Sequence, residues 1–217
     1  MKATLKQAKK ILELFEDTPN EQLQALLASG FLTGLRDANI AEIERDEFRE
    51  LIKLPFSPLL ESLDTITIPE TTERFIAHER FIKDISENAR VKIAYIDPYF
   101  KDRFFEKIEK PIPEMILRYS RLVRPARDNY IIKKLGYTTE TFLSQMYVLM
   151  ERQKNGEIGI LLNNGLPNIF YISDFNGYLC VVFIRWVREK NGWFVDAIYI
   201  HHPKLWEKDL RIFSHEF

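Results

Sequence analysis

The segment "RYSRLVRPARDNYIIKK", residues 118–134, sets Arg118, Arg121, Arg124, Arg127, Lys133 and Lys134 against a single acid, Asp128. Tyr119 and Tyr130 stand among the cations. Guanidinium groups suit phosphate oxygens and tyrosine rings suit stacked bases, so these eight residues form a candidate contact for nucleic acid or another polyanion. A helix would place Arg118, Arg121 and Arg124 on one face. A strand would keep Arg118 and Arg124 together and turn Arg121 away. The competing reading is internal pairing, because residues 37–64, with Glu42, Glu44, Asp46, Glu47 and Glu50, are acidic by a similar amount.

The other chemistry-bearing residues are scattered. The histidines are His78, His201, His202 and His215. His78-Glu79 lacks the second histidine of a metalloprotease helix. His201 and His202 are adjacent in a strand pattern and would point to opposite faces. Asp97 precedes Pro98 at a strand end, where an aspartate forms a turn. Glu106 and Glu109 are each followed directly by lysine, without the acid-x-lysine spacing of a nuclease. There is no phosphate-binding glycine loop, dinucleotide fingerprint or nucleophile-elbow serine. The expectation is therefore no assigned catalytic residue, no metal and no cofactor. The alternative is a nuclease-like hydrolase that gathers His78, Asp97 and His201 from distant segments.

Composition bounds the class of protein and gives no global reason to expect nucleic acid or membrane as a partner. The chain has 217 residues, 46% apolar and 29% charged, with 16 phenylalanines and 8 glycines. This is the profile of an ordinary globular protein with ample core material. A net charge of −1 makes any electrostatic site local. One cysteine, Cys180, excludes an internal disulfide and a cysteine zinc site, and reads as a small buried hydrophobe. The N-terminus lacks signal-peptide character, and the longest apolar run, Tyr178 to Ile184, is too short to span a bilayer. The expected location is the cytoplasm, with no membrane partner.

The elements that must position these residues follow from periodicity. Leu5, Ala8, Ile11, Leu12 and Phe15 mark one helix. Thr18, Pro19 and Glu21 start a second that carries Leu23, Leu26 and Leu27 and stops at Gly30. Ile43, Phe48, Leu51 and Ile52 mark a third, ended by Pro55. Residues 1–54 thus read as a helical unit, 55–73 as a linker whose β-prone patch at Thr65–Ile68 leads into a first strand, and 74–217 as an α+β domain. In that domain "RVKIAYID" is a strand with Val91, Ile93 and Tyr95 on one face, and "KDRFFEKIEK" is helical up to Pro111. Asp128 caps a short helix that ends at Gly136. Phe142, Met146, Leu149 and Met150 form the buried stripe of a helix over 139–154. Strands follow near 158–162, 168–173, 178–188, 192–200 and 210–214. Asn176-Gly177 and Asn191-Gly192 supply hairpin turns, which makes an antiparallel meander. In its middle strand Leu179, Val181 and Phe183 face one way, and Cys180, Val182, Ile184 and Trp186 the other. Both faces need cover, from the helix, the middle region or a second subunit.

The stretches "NEQLQALLASGFLTGLRDANIAEIERDEF", "TTERFIAHERF", "ILRYSRLVRP" and "NIFYISDFNG" occur in order. Trp193, Pro203, Trp206 and "RIFS" follow them. In these the chain resembles a family of uncharacterised proteins from the genomes of small uncultivated bacteria. The resemblance implies a bacterial, cytoplasmic protein and carries over no catalytic residue. The fold class expected is α+β: N-terminal short helices, a mixed middle region, and a C-terminal helix packed on the meander. The expected function is a non-enzymatic binding module that uses the Arg/Tyr-rich segment. The hydrolase, or a subunit of a larger assembly joined through a sheet face as a protein partner or homo-oligomer, are the alternatives.

Overall fold

The computed structural model describes residues 18–30 and 58–216, with Lys9, Glu13 and Glu16 before them. The expected helix over 42–54, the acids Glu42, Glu44, Asp46, Glu47 and Glu50, and all of the expected helix over 4–16 but Lys9, Glu13 and Glu16 lie outside this set. The chain divides into two compact units, Met1–Phe56 and Ser57–Phe217. In the first, helix α1 (Asn20–Ala28) begins one residue later than the sequence pattern places it. Pro19 occupies the capping position in an extended conformation, and no side chain caps the helix. Gly30, at φ +71°, follows its end.

The second unit is a mixed α+β structure. In chain order it contains β1 (Leu60–Ile68), β2 (Phe75–Ile76), α2 (Ala77–Arg80), β3 (Ile93–Ile96), α3 (Pro98–Phe104) and β4 (Ile108–Glu109). Then come β5 (Met115–Leu122), α4 (Asp128–Leu135), α5 (Leu143–Arg152), β6 (Asn168–Ser173), β7 (Leu179–Val187), β8 (Gly192–Tyr199) and β9 (Arg211–His215). Seven strands form one sheet in the order β1-β5-β9-β6-β7-β8-β3, and β2 pairs with β4 apart from it. Strand β6 pairs antiparallel with β7, and β7 with β8, so that Trp186 stands opposite Trp193. Strand β9 lies antiparallel to β5 and parallel to β6, and β3 lies parallel to β8.

Alternation along the strands divides the core in two. Cys180, Val182, Ile184, Trp186, Trp193 and Val195 join Met146, Leu149 and Met150 of α5, with Phe81, Phe100 and Phe104. Val181, Phe183, Ile169, Tyr171 and Ile212 form the second cluster, with Ile131 of α4 and Trp206. The apolar centre of the second sheet face thus packs against α4 and the segment around Trp206.

Several elements differ from their sequence pattern. Residues 60–68 form an edge strand along β5, which extends the strand expected at the Thr65–Ile68 patch back into the linker. In β3 the register shifts between Ile93 and Tyr95, so Ile93 and Ile96 are buried while Tyr95 is exposed. The helix at "KDRFFEKIEK" ends at Phe104, and Ile108–Glu109 is a strand. Residues 158–162 are not a strand. There the Gln153 amide donates to Glu157 O and Leu161 O at 2.7 and 3.0 Å, and Leu161 N–H donates back to Gln153 Oε1 at 2.7 Å. A buried side chain takes the place of a neighbouring strand. Helix α5 begins at Leu143, because the Glu109 carboxylate accepts the N–H groups of Leu143 and Ser144 at 2.9 Å each. Phe142 therefore precedes the helix and is half-buried rather than core. Of the two Asn-Gly turns, each holds one positive φ: Gly177 at +85° and Asn191 at +48°. Gly192 serves close approach instead, since a Cβ there would sit 2.8 Å from Ala94 Cβ and 2.9 Å from Ala94 N.

Candidate functional site: a hydroxyl-lined cleft at Arg118

The basic segment spans two elements, the end of β5 and α4. Residues 115–122 are a strand, so Arg118, Ser120 and Leu122 alternate on the α4 side, and Leu117 and Tyr119 on the α5 side. Arg121 points away from Arg118, as a strand requires. It donates to Glu61, its partner across β1, at 2.9 Å through Nε, and lies 3.8 Å from Asp209. Glu61 belongs to the acidic stretch 37–64, so part of the internal pairing is realised here. Tyr119 packs against Phe213, with the Arg211 guanidinium 5.3 Å above its ring. Tyr130 packs against the second core cluster. Neither ring is a free stacking platform. Arg124 is half-buried and Arg127 is exposed just ahead of α4. Lys133 and Lys134 occupy the last turn of α4, where cations complement the helix dipole.

Of the eight residues singled out in the sequence, Arg118 and Lys134 line one cleft, of about 320 Å³. Its floor is the sheet. Ser62 stands opposite Ser120 across β1 and β5, and Arg118 opposite Ser214 across β5 and β9. All four of these side chains belong to cleft-lining residues, with Tyr137, Thr138 and Glu216 at the rim. Arg118 donates to the Glu216 carboxylate through Nε at 3.2 Å and Nη2 at 2.5 Å. That bond holds the Glu216 carboxyl below its ordinary range and raises Arg118 above its own. Ser62, Ser120, Ser214 and Glu216 carry no signal as a set in the sequence. Only the pairing of three strands distant in the chain brings them together.

The residues of the alternative site, His78, Asp97 and His201, stand on three different segments. The His78 ring lies 3.1 Å from Phe105 O on the exposed α2. Asp97 caps α3, accepting from Tyr99 N and Phe100 N at 2.8 and 3.2 Å. His201 is exposed in the turn after β8. His215, next to Ser214, is among the residues that line the cleft, and its ring Nε2 lies 3.1 Å from Gln145 Oε1. Among the described residues, no group of three or more His, Cys, Asp or Glu is placed to hold a metal ion. Asp128 is buried rather than capping α4, and accepts from Tyr171 Oη at 2.9 Å and Trp206 Nε1 at 2.8 Å. Burial raises its pKa.

A second polar cluster lies at the β8 end of the same face. Lys204 Nζ sits 4.1 Å from the Trp206 ring centre and 4.3 Å from that of Phe183. Burial lowers its pKa. Asp196, 3.9 Å from Arg185, is pushed up to about 6 by burial, against the pull of Arg185. Lys204 is packed over rings, and Asp196 is paired with Arg185. The Arg118 cleft is lined by Arg118 and Lys134 together with Ser62, Ser120 and Ser214. Among the described residues no helix is long and apolar enough to cross a membrane. In comparisons with protein-family models, curated proteins and solved structures, nothing matches the chain.

Proposed function

We propose that the protein is a non-enzymatic binding module whose ligand presents an anionic group to the Arg118 cleft. The observation that supports this reading is the convergence of Arg118, Lys134, Ser62, Ser120 and Ser214 on one opening. Two cations supply charge, and the hydroxyls supply hydrogen-bond donors that rotate to meet an acceptor. A track for a nucleic-acid strand needs several cations and open rings along one surface. Arg121 lies on the opposite face, and Tyr119 and Tyr130 are committed to packing, so the polyanion reading narrows to a single anion seat. The protein's setting in this reading is the cytoplasm.

Titration calorimetry with inorganic phosphate and sulfate at low ionic strength tests the proposal. Wild type binds, Arg118→Gln and Ser120→Ala weaken binding, and Arg121→Gln does not. A seat that engages one or two phosphates of a single strand gives a salt slope of about −0.7 per contact. Absence of binding at low salt, or equal binding by Arg118→Gln, rejects the site.

A further inference from the structure

We propose that the Asp196 cluster on the α4 face is a second binding site, and that its ligand is a neutral sugar. The site is separate from the Arg118 cleft and does not depend on the anion-binding reading. Strand register builds it. Arg185, Phe194 and Tyr95 lie side by side across β7, β8 and β3, and Phe183 lies opposite Asp196 one step along β7 and β8. Asp97 follows β3, with its N–H bonded to Val195 O at 2.9 Å and its Oδ1 3.5 Å from the Tyr95 hydroxyl. The Tyr95 and Phe194 rings meet at 5.1 Å, and the Arg185 guanidinium stands 5.3 Å from the Phe194 ring centre. Asp196 is thus a short side chain among long ones. It keeps 17% of its side-chain surface, against 43% for Arg185, and Tyr95 is 37% exposed.

Asp196 destabilises the fold that carries it. Its Oδ2 is buried and accepts no hydrogen bond among the described residues, and Arg185 Nε, at 3.9 Å, is too far to donate one. A buried carboxylate without donors is costly. Its neighbours Phe183, across the strand pair, and Phe194, along β8, are apolar, so packing alone calls for no charge at this position. An acid held under such conditions at the edge of a solvent-reached cluster marks a place where a ligand supplies the missing donor.

The groups around Asp196 select that ligand. Asp97 and Asp196 repel an anion, and Arg185 and Lys204, whose charges act on Asp196, repel a cation. A hydroxyl donates and accepts at once, so neighbouring hydroxyls of a neutral sugar can donate to Asp196 and accept from Arg185. The C–H face of a sugar ring is apolar and matches the exposed ring of Tyr95. A nucleobase needs a flat, open platform. Here the Tyr95 and Phe194 rings are tilted by 38° to one another, and Phe194 already carries Arg185.

Amide chemical shifts test the proposal in titrations with glucose, galactose, mannose and N-acetylglucosamine, with glycerol and guanosine as comparisons. At least one of the sugars should shift Tyr95, Arg185, Phe194 and Asp196 saturably. Glycerol, which has hydroxyls but no ring face, should not. Asp196→Asn should weaken that sugar about tenfold, the difference between a charged and a neutral acceptor, while its melting temperature at neutral pH rises above that of wild type. A purely structural acid would leave sugar affinity where it was. Tyr95→Ala should also weaken binding, and Arg121→Gln should leave it unchanged. No saturable shift with any of the sugars, or equal affinity in Asp196→Asn and Tyr95→Ala, overturns the site. Glycerol that binds as tightly overturns the sugar class. Guanosine that shifts these amides where no sugar does gives the site to a nucleobase and overturns the class as well.

Discussion

The two faces of the seven-stranded sheet are built differently. The α5 face is closed by rings and aliphatic side chains: Phe81 meets Phe100 at 5.0 Å and Tyr147 at 5.4 Å, edge to face, and Met146 and Met150 are fully buried. The α4 face has a smaller apolar centre, in which Phe183 meets Trp206 at 5.2 Å. Polar clusters flank that centre: Arg118 with its serines at one end, Asp196 with Lys204 at the other. The difference is one of cover. Helix α4 has eight residues, and with the Trp206 segment it cannot roof seven strands. Apolar burial of this kind is worth about 1.5–3 kcal/mol per large side chain, so stability concentrates on the first face. The incompletely covered face is left with the polar openings where a ligand can be met.

Substitutions that act on one face only break or sharpen this contrast. The largest effect is expected from Met146→Ala, at about 2–5 kcal/mol of stability with no change in anion affinity, read from denaturant midpoints. An unmoved midpoint would show that the α5 face does not carry the fold. Next is Asp196, whose carboxyl rises from 3.8 to about 6. The folded protein holds a proton in that window which the unfolded chain releases, so stability falls as pH rises from about 4 to 6. At 1.36 kcal/mol per unit the loss approaches about 3 kcal/mol. Asp196→Asn should flatten the pH dependence and raise the midpoint at pH 7.5 by about 2–3 kcal/mol, and a parallel pH profile for wild type and variant would refute this. Gly192→Ala drives a methyl into Ala94 and should cost about 1–3 kcal/mol, measured in the same way. The smallest effect is that of Arg121→Gln, which removes the exposed pair with Glu61. It should change stability by less than about 1 kcal/mol.

The sequence alternation in residues 179–184 sorts those side chains into the two core clusters, because period-2 patterning is local and both sets are apolar. The mixed α+β class was legible for the same reason. The insertion of β9 between β5 and β6 was not, since a pairing across so much chain has no local signature. Nor was the start of α5, set by Glu109 from another strand, or the loop at 158–162, held by Gln153. The basic segment stood out by composition. Its division between two faces, and the conversion of Tyr119 and Tyr130 to packing residues, depended on a strand that the residues alone left open to a helical alternative. The serines of the cleft are ordinary in sequence and acquire meaning only through register.

The most direct measurement is a phosphate titration followed by amide chemical shifts in wild type and Arg118→Gln. Saturable shifts confined to Ser62, Arg118, Ser120, Lys134, Ser214 and Glu216 in wild type, and absent from the variant, are the predicted result. Shifts centred elsewhere, or unchanged in Arg118→Gln, would contradict an anion seat on the α4 face.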